Sequence, residues 1–321
     1  MKRAGCLIAA IVALLLAASA VLLGGMFGSA SIHEEAPFII PAGSSLTAVA
    51  NKLESEGHIT SADGFLLRAK LLGNNDPIQA GEFALTPQMD QSAILAAFQN
   101  GNVIRRYVTI PEGMPSVLVV ERLMAQDLLS GDVELPEEGS VLPDTYDFER
   151  GESRQVMLDR MQAAMTAYLA KAWEKRSPDA AINSIEDAVI LASIVEKETG
   201  RPEERGMVAG VMSNRLRVGM QLGADATTIY PITKGKPLGR EIRVSELRDP
   251  NPYNTRAIAG LPIGPITNPG REAIAAVLDP DDTDAYYYVA DGSGGHVFAR
   301  TLEEHNANVR KWREFRRENG I

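Results

Sequence analysis

The chain has 321 residues, 45% of them hydrophobic, and a formal net charge of -10. An acidic balance of that size excludes a phosphate-backbone binder, because the chain would repel nucleic acid rather than release its counterions. Cys6 is the only cysteine and sits in an apolar N-terminal run, so the rest of the chain has neither a disulfide framework nor a thiol nucleophile.

After Met1, Lys2 and Arg3, no charged side chain occurs from Ala4 to Ile32. About 20 apolar residues are enough to cross a bilayer, so residues 4–28 are predicted to form a transmembrane anchor behind a cytoplasmic tail of residues 1–3. The basic pair before the run and the acidic pair Glu34 and Glu35 after it favour a cytoplasmic N-terminus, which leaves roughly 290 residues outside. The competing reading is a cleaved signal peptide, since Ala18, Ser19 and Ala20 form a small-residue cleavage site. The apolar run continues beyond it through Val21, Leu22, Leu23 and Met26, which suits an anchor better.

Residues 29–36 read as a linker. Pro37 to Gly43 (PFIIPAG) reads as a strand ending in a turn, and Ser44 or Ser45 can cap a helix carrying Leu46, Val49, Ala50 and Leu53 before Gly57. Ala62 to Leu72 is a second helical stretch, Gly81 to Leu85 a strand, and Ser92 to Phe98 a further helix before Gly101. This strand, helix, helix, strand pattern over residues 37–103 resembles a LysM-like domain, a type that binds N-acetylglucosamine polymers. A small α/β spacer without a ligand fits the same pattern.

Residues 104–150 read as a connecting segment. Tyr107 to Pro115 (YVTIPEGMP) repeats the strand and turn of residues 38–43 and precedes an apolar helical pattern from Val117 to Leu129, as a degenerate repeat would. Gly131 to Gly151 is acidic, rich in Pro and Gly, and marks a boundary. Ser153 to Arg176 then reads as a long helix with Val156, Met157, Met161, Met165, Leu169 and Trp173 along one side, the methionines as core packing.

Ser184 and Asp187 begin a helix predicted over Ile185 to Thr199, with Gly200 as its stop. At about 100 degrees per residue, Glu198 projects near Leu191, and Glu196 projects between Ile185 and Val189. A carboxyl group bordering apolar surface holds its proton to higher pH, as a general acid must. The helical wheel does not choose between the two, and a solvated helix end paired with Arg201 or Arg205 fits it equally.

Four ordered motifs, LASIVEKET (191–199), VMSNRLRVGMQL (211–222), YNTRAIAGLPIG (253–264) and VADGSGGHVF (289–298), together with LPDTY (142–146), resemble the endolytic transglycosylase family, MltG or YceG-like. The resemblance implies an α+β architecture: an N-terminal transmembrane helix, a small LysM-like α/β domain, and a mixed α/β catalytic domain over residues 151–321 with a lysozyme-like catalytic helix. It makes Glu198, directly before Thr199, the catalytic acid and base, with Glu196 supporting it or facing substrate. It places Asp225, Tyr230, Tyr253, Asn254 and Thr255 near the sugar. Asp225 as a cap, and Asn254 and Thr255 as turn-shaping residues, are the structural alternatives. Gly223, Ala224 and Ala226 depart from the family's L-Q-S-D-P-T pattern.

The implied reaction cleaves the bond between N-acetylmuramic acid and N-acetylglucosamine in nascent peptidoglycan, leaves a 1,6-anhydro end and terminates strand elongation. The implied setting is the inner (plasma) membrane, single-pass through residues 4–28, with the catalytic domain periplasmic or extracytoplasmic and wall synthases as protein partners. No cofactor is expected. Tyr286 to Ala290 and His296 to Arg300 read as a hairpin, with His296 as a groove wall or structural hydrogen bonder. No metal-ligand spacing links His33, His58, His296 and His305. The alternative function is a catalytically inactive, membrane-anchored scaffold that binds cell wall.

Overall fold

The computed structural model describes residues 12–14, 29–73 and 76–320. Residues 12–14 are helical, and the remainder of the anchor expected over residues 4–28 lies outside the described residues. Among the described residues no helix is long and apolar enough to cross a membrane. The chain divides into two compact units, Met1–Arg106 and Tyr107–Ile321.

The smaller unit is built from β1 (Ala36–Ile40), α1 (Leu46–Ser55), α2 (Ala62–Leu72), β2 (Gly81–Leu85) and α3 (Gln91–Asn100). Its helices start at side chains that accept the first free backbone N–H groups: Ser45 from Ala48 at 3.2 Å, Ser61 from Gly64 at 3.1 Å and Asp90 from Ala93 at 2.8 Å. β1 and β2 pair antiparallel with Phe38 opposite Phe83. Period-2 alternation sends Phe38, Ile40, Phe83 and Leu85 to one face, where they meet Val49, Leu53, Phe65, Ile94 and Phe98. Phe98 stacks on Phe38 at 5.6 Å and meets Phe83 edge-on at 4.8 Å. Residues 29–32, expected in the linker, pack into this unit. Ala30 bridges to Ile59, the Ser31 N–H donates to the His58 carbonyl at 2.8 Å, and Ile32 is buried.

The larger unit begins with β3 (Arg106–Thr109), α4 (Ser116–Met124), β4 (Thr145–Phe148) and α5 (Arg154–Trp173). The segment expected only to connect domains supplies Val108, Ile110, Val119, Leu123, Val141 and Phe148 to a core shared with Met157, Leu158 and Met161 of α5. The repeated turn is present: Gly43 and Gly113 both take left-handed backbone, φ 78 and φ 71, ahead of a helix.

Next come α6 (Ile185–Glu198), a 3-10 turn (Pro202–Glu204), α7 (Arg205–Arg217), α8 (Asp225–Thr233), α9 (Val244–Leu247), α10 (Arg271–Leu278), β5 (Tyr287–Ala290), β6 (His296–Ala299) and α11 (Leu302–Asn319). Seven consecutive or near-consecutive α6 residues, from Ala188 to Val195, are buried, so this helix is apolar almost all round and lies inside the unit. Met165, Val208, Ala209, Met212, Tyr230, Ala273, Ile274 and Val277 surround it. Helix α7 approaches the 279–283 segment through Gly206 and Gly210. A Cβ on Gly210 would stand 2.6 Å from the Asp281 carbonyl oxygen. β5 and β6 form the expected hairpin, Tyr287 opposite Ala299 and Ala290 opposite His296. The whole is α+β, with three two-stranded sheets among the described residues.

Candidate active site

Helix α6 carries both glutamates of the E-K-E-T motif, and two residues of helix turn them to opposite sides. Thr199 ends the helix in extended backbone, φ -135 and ψ 133, so Glu198 occupies the last helical position. The buried body of α6 fixes that end against the core. The carboxyl of Glu198 opens into a pocket of about 460 Å³ lined also by Arg215, Met220, Gln221, Gly223, Asp225, Arg256, Tyr288 and His305.

Within the pocket the Tyr288 hydroxyl donates to Glu198 Oε2 at 2.8 Å. Burial raises the Glu198 pKa, the Tyr288 hydrogen bond opposes it, the Asp225 charge adds to it, and Arg215 and His296 oppose it; the net shift is upward. A carboxyl group held this way keeps its proton to higher pH and still meets a cation once the proton has left. Arg215 is anchored through two backbone carbonyls, Tyr286 at 2.7 Å and Leu222 at 2.6 Å, with its guanidinium carbon 5.5 Å from the Tyr288 ring centroid. Asp225, the first residue of α8, is more than half exposed and accepts a hydrogen bond from Arg256. Gly223, one of the departures from the family pattern, takes φ 68, and a Cβ there would stand 3.7 Å from Arg215 Nη1, so the pocket wall at this point is backbone. Ala226 is in the first turn of α8, where proline's missing N–H would cost nothing, and it packs on the core instead.

The other expected site residues fall elsewhere. Glu196 accepts from the Gly270 N–H at 2.8 Å and pairs with Arg205 at 3.5 Å, in a cluster with Glu112 and Glu272. It ties three segments together and is not among the residues lining the Glu198 pocket. A Cβ on Gly270 would stand 2.0 Å from the Glu112 carboxylate, so a larger residue there would push the Glu112 side chain aside. Asn254 and Thr255, at 1% and 0% exposure, do not line that pocket either. Asn254 Nδ2 donates to the carbonyls of Glu246, Leu247 and Asp249, and its Oδ1 accepts from Thr228. Thr255 bonds Thr227 at 2.8 Å and accepts from the Ala224 N–H at 3.1 Å. Both lace the 223–228 turn to the 254–255 loop and so aim Asp225; they shape the turn. The rings of Tyr230 and Tyr253 meet at a tilt of 47° with centroids 4.9 Å apart, Tyr230 is buried, and neither lines the Glu198 pocket. Tyr230 instead lines a smaller cavity of about 190 Å³ with Lys197, Ile229 and Leu238.

The pocket also contains residues that sequence reasoning passed over. Arg215 and Arg256 stand inside two of the motif strings, beside Leu216 and Thr255, and Tyr288 sits in the hairpin. His305 carries no sequence signal; it reaches the pocket because Thr301 caps α11 one turn earlier, accepting from Glu304 N at 3.2 Å. His296 is a structural hydrogen bonder: its Nδ1 lies 2.7 Å from Glu204 Oε2, and its backbone N–H donates to Glu204 Oε1 at 2.9 Å.

Comparison with known proteins places this arrangement. The chain is 27% identical over 305 residues to a Bacillus subtilis protein named endolytic murein transglycosylase, covering 85% of this chain and 83% of that one. It is 28% identical over 320 residues to a Streptococcus pneumoniae protein of the same name, of which it spans 57%. The crystal structure of a yceG-like protein from Listeria monocytogenes superposes with a TM-score of 0.52 at 28% identity, covering 85% of this chain and 99% of that one. The YceG-like family matches residues 38–311, and over that extent the chain belongs to it.

Proposed function

We propose that the chain is an endolytic murein transglycosylase, cutting peptidoglycan glycan strands without water, with Glu198 as its acid and base. The observation that carries this is the pocket at the end of α6, where one desolvated carboxyl group accepts from a phenol donor and shares the cavity with the half-buried guanidinium of Arg215. Glu198 delivers its proton to the oxygen bridging N-acetylmuramic acid and N-acetylglucosamine as that bond breaks. Its carboxylate then takes the proton of the muramoyl 6-hydroxyl as that oxygen closes on the anomeric carbon, leaving a 1,6-anhydro end and the carboxyl group as it began. An internal nucleophile removes the need for the second carboxylate that hydrolases place across the bond. Arg215 stabilises the anionic stage, and Asp225, paired with Arg256, orients the sugar at the opposite wall.

Residues 4–28 anchor the chain in the plasma membrane with the N-terminus cytoplasmic, a reading supported by their uninterrupted apolar sequence between Arg3 and Glu34. The smaller unit serves as a LysM-like element that presents glycan near the membrane, supported by its two helices between paired antiparallel strands. Cutting close to the membrane is cutting of nascent strands, which terminates their elongation beside the wall synthases.

The test is mass spectrometry of uncrosslinked glycan strands incubated with the full-length chain in detergent, wild type beside Glu198→Gln. Anhydro ends from wild type alone support the reading. Reducing ends would make the protein a hydrolase with Asp225 as the second carboxylate, and no cleavage by either would leave a binding scaffold.

A further inference from the structure

We propose that Tyr288 is a positioning residue that decides which carboxyl oxygen of Glu198 carries the transferable proton, and that the Glu204–His296 pair holds Tyr288 for that task. The proposal rests on the reading of Glu198 as the acid. The Tyr288 hydroxyl donates to Oε2 at 2.8 Å, so a proton on the neutral carboxyl group belongs on Oε1, the oxygen left for substrate. Burial, the Glu198 charge and this hydrogen bond push the Tyr288 phenol well above its ordinary value, so it remains a donor throughout the cycle. After proton delivery Oε2 keeps its donor, and Oε1 is the base that receives the 6-hydroxyl proton. Each turnover therefore leaves the phenol proton where it was.

The ring of Tyr288 is held by neighbours on two elements, β6 and α7. His296 meets it edge-on at 5.3 Å and 83°, Phe298 lies at 6.1 Å, and the Arg215 guanidinium stands over it. His296 is locked in turn, because Glu204 engages both its ring Nδ1 and its backbone N–H. Although burial works against the Glu204 anion, the His296 hydrogen bonds and Thr199 hold its pKa below the ordinary carboxylate value. Glu204 Oε2 also accepts from Thr199 Oγ1 at 3.2 Å, and Thr199 is the residue after Glu198. The chain of contacts thus closes on itself: Glu198, Tyr288, His296, Glu204, Thr199 and back to Glu198. Gly295 permits it, since a Cβ there would stand 2.4 Å from Glu204 Oε1. The remaining charged or titratable groups lining the pocket around Glu198 are Arg215 from α7, Asp225 from α8, Arg256 from the loop between α9 and α10, and His305 from α11.

The experiment compares the full-length wild type, Tyr288→Phe, His296→Ala and His296→Gln. It reads kcat and KM for release of anhydro-ended fragments across pH, with melting temperature as the check on folding. Tyr288→Phe is expected to lose roughly tenfold in kcat, the scale of one hydrogen bond to a charged group, with KM little changed. Its alkaline limb moves to higher pH, because loss of the donor raises the Glu198 pKa further. His296→Ala moves the same way by less, and His296→Gln, which keeps an N–H for Glu204, recovers part of the loss. A readout free of catalysis is the ¹³C carboxyl titration of labelled glutamates, with Glu198→Gln identifying the Glu198 signal. A higher Glu198 midpoint in Tyr288→Phe supports the proposal even if no glycan is cut, in which case only the activity reading fails. A folded Tyr288→Phe with unchanged midpoint and unchanged kcat overturns it.

Discussion

Asp225 and Tyr288 act on the same proton with opposite sign. The Asp225 charge raises the Glu198 pKa, so Asp225→Asn lowers it, and Glu198 then loses its acidic proton at lower pH. The alkaline limb of kcat/KM is expected to move down in pH for Asp225→Asn, opposite to Tyr288→Phe; a pH–rate profile for each variant checks the pair. The two glutamates of the motif separate just as sharply. Glu196→Gln keeps an acceptor for the Gly270 N–H but strips the charge facing buried Arg205, so kcat is expected to stay near wild type while stability falls by about 1–3 kcal/mol. Thermal unfolding beside steady-state kinetics reads both numbers. A helical wheel places these carboxylates on different sides of α6 but does not say which side becomes a pocket, because the pocket walls come from α7, α8, the hairpin and α11.

The elements that matched their sequence signals are those whose determinants are local. Ala62 to Leu72 and Gly81 to Leu85 begin and end where expected, and Ser45 and Ser184 cap as their positions predict. Ser184→Ala is expected to cost about 1 kcal/mol, measured by denaturant unfolding of the larger unit. Helix α4 shows the opposite case. Its apolar pattern runs to Leu129, yet it stops at Met124, because Arg154 of α5 donates to the carbonyls of Leu123 at 3.0 Å and Gln126 at 2.9 Å and supplies from a distance the partners a longer helix would have supplied itself. Helix α7 carries a constraint that periodicity does not register. Gly210→Ala forces a Cβ onto the Asp281 carbonyl and is expected to destabilise by roughly 1–3 kcal/mol, shown by a lowered melting temperature.

The smaller unit depends on residues that sequence reading assigned to a linker. A chain beginning at Ser29 keeps the Thr60 and Ile59 contacts and buried Ile32, whereas one beginning at Glu34 loses them. The shorter chain is expected to lose roughly 1.5–3 kcal/mol from the lost Ile32 burial alone, visible as earlier melting of that unit. Length, charge and the lone Cys6 argue against a nucleic-acid binder and a disulfide scaffold, and four motifs were enough to reach the family, because composition and local pattern are properties of the chain in any conformation. Caps, strand alternation and the apolar α6 follow from the same near-neighbour physics. The assembly of the site does not. Tyr288 meets Glu198 across 90 residues, His296 meets Glu204 across 92, and Asn254 and Thr255 turn inward to brace the loop they were expected to decorate. Which polar groups face the pocket and which are spent on buried backbone partners depends on the packing of α6 among its neighbours, because burial obliges each polar atom to find a partner within the fold.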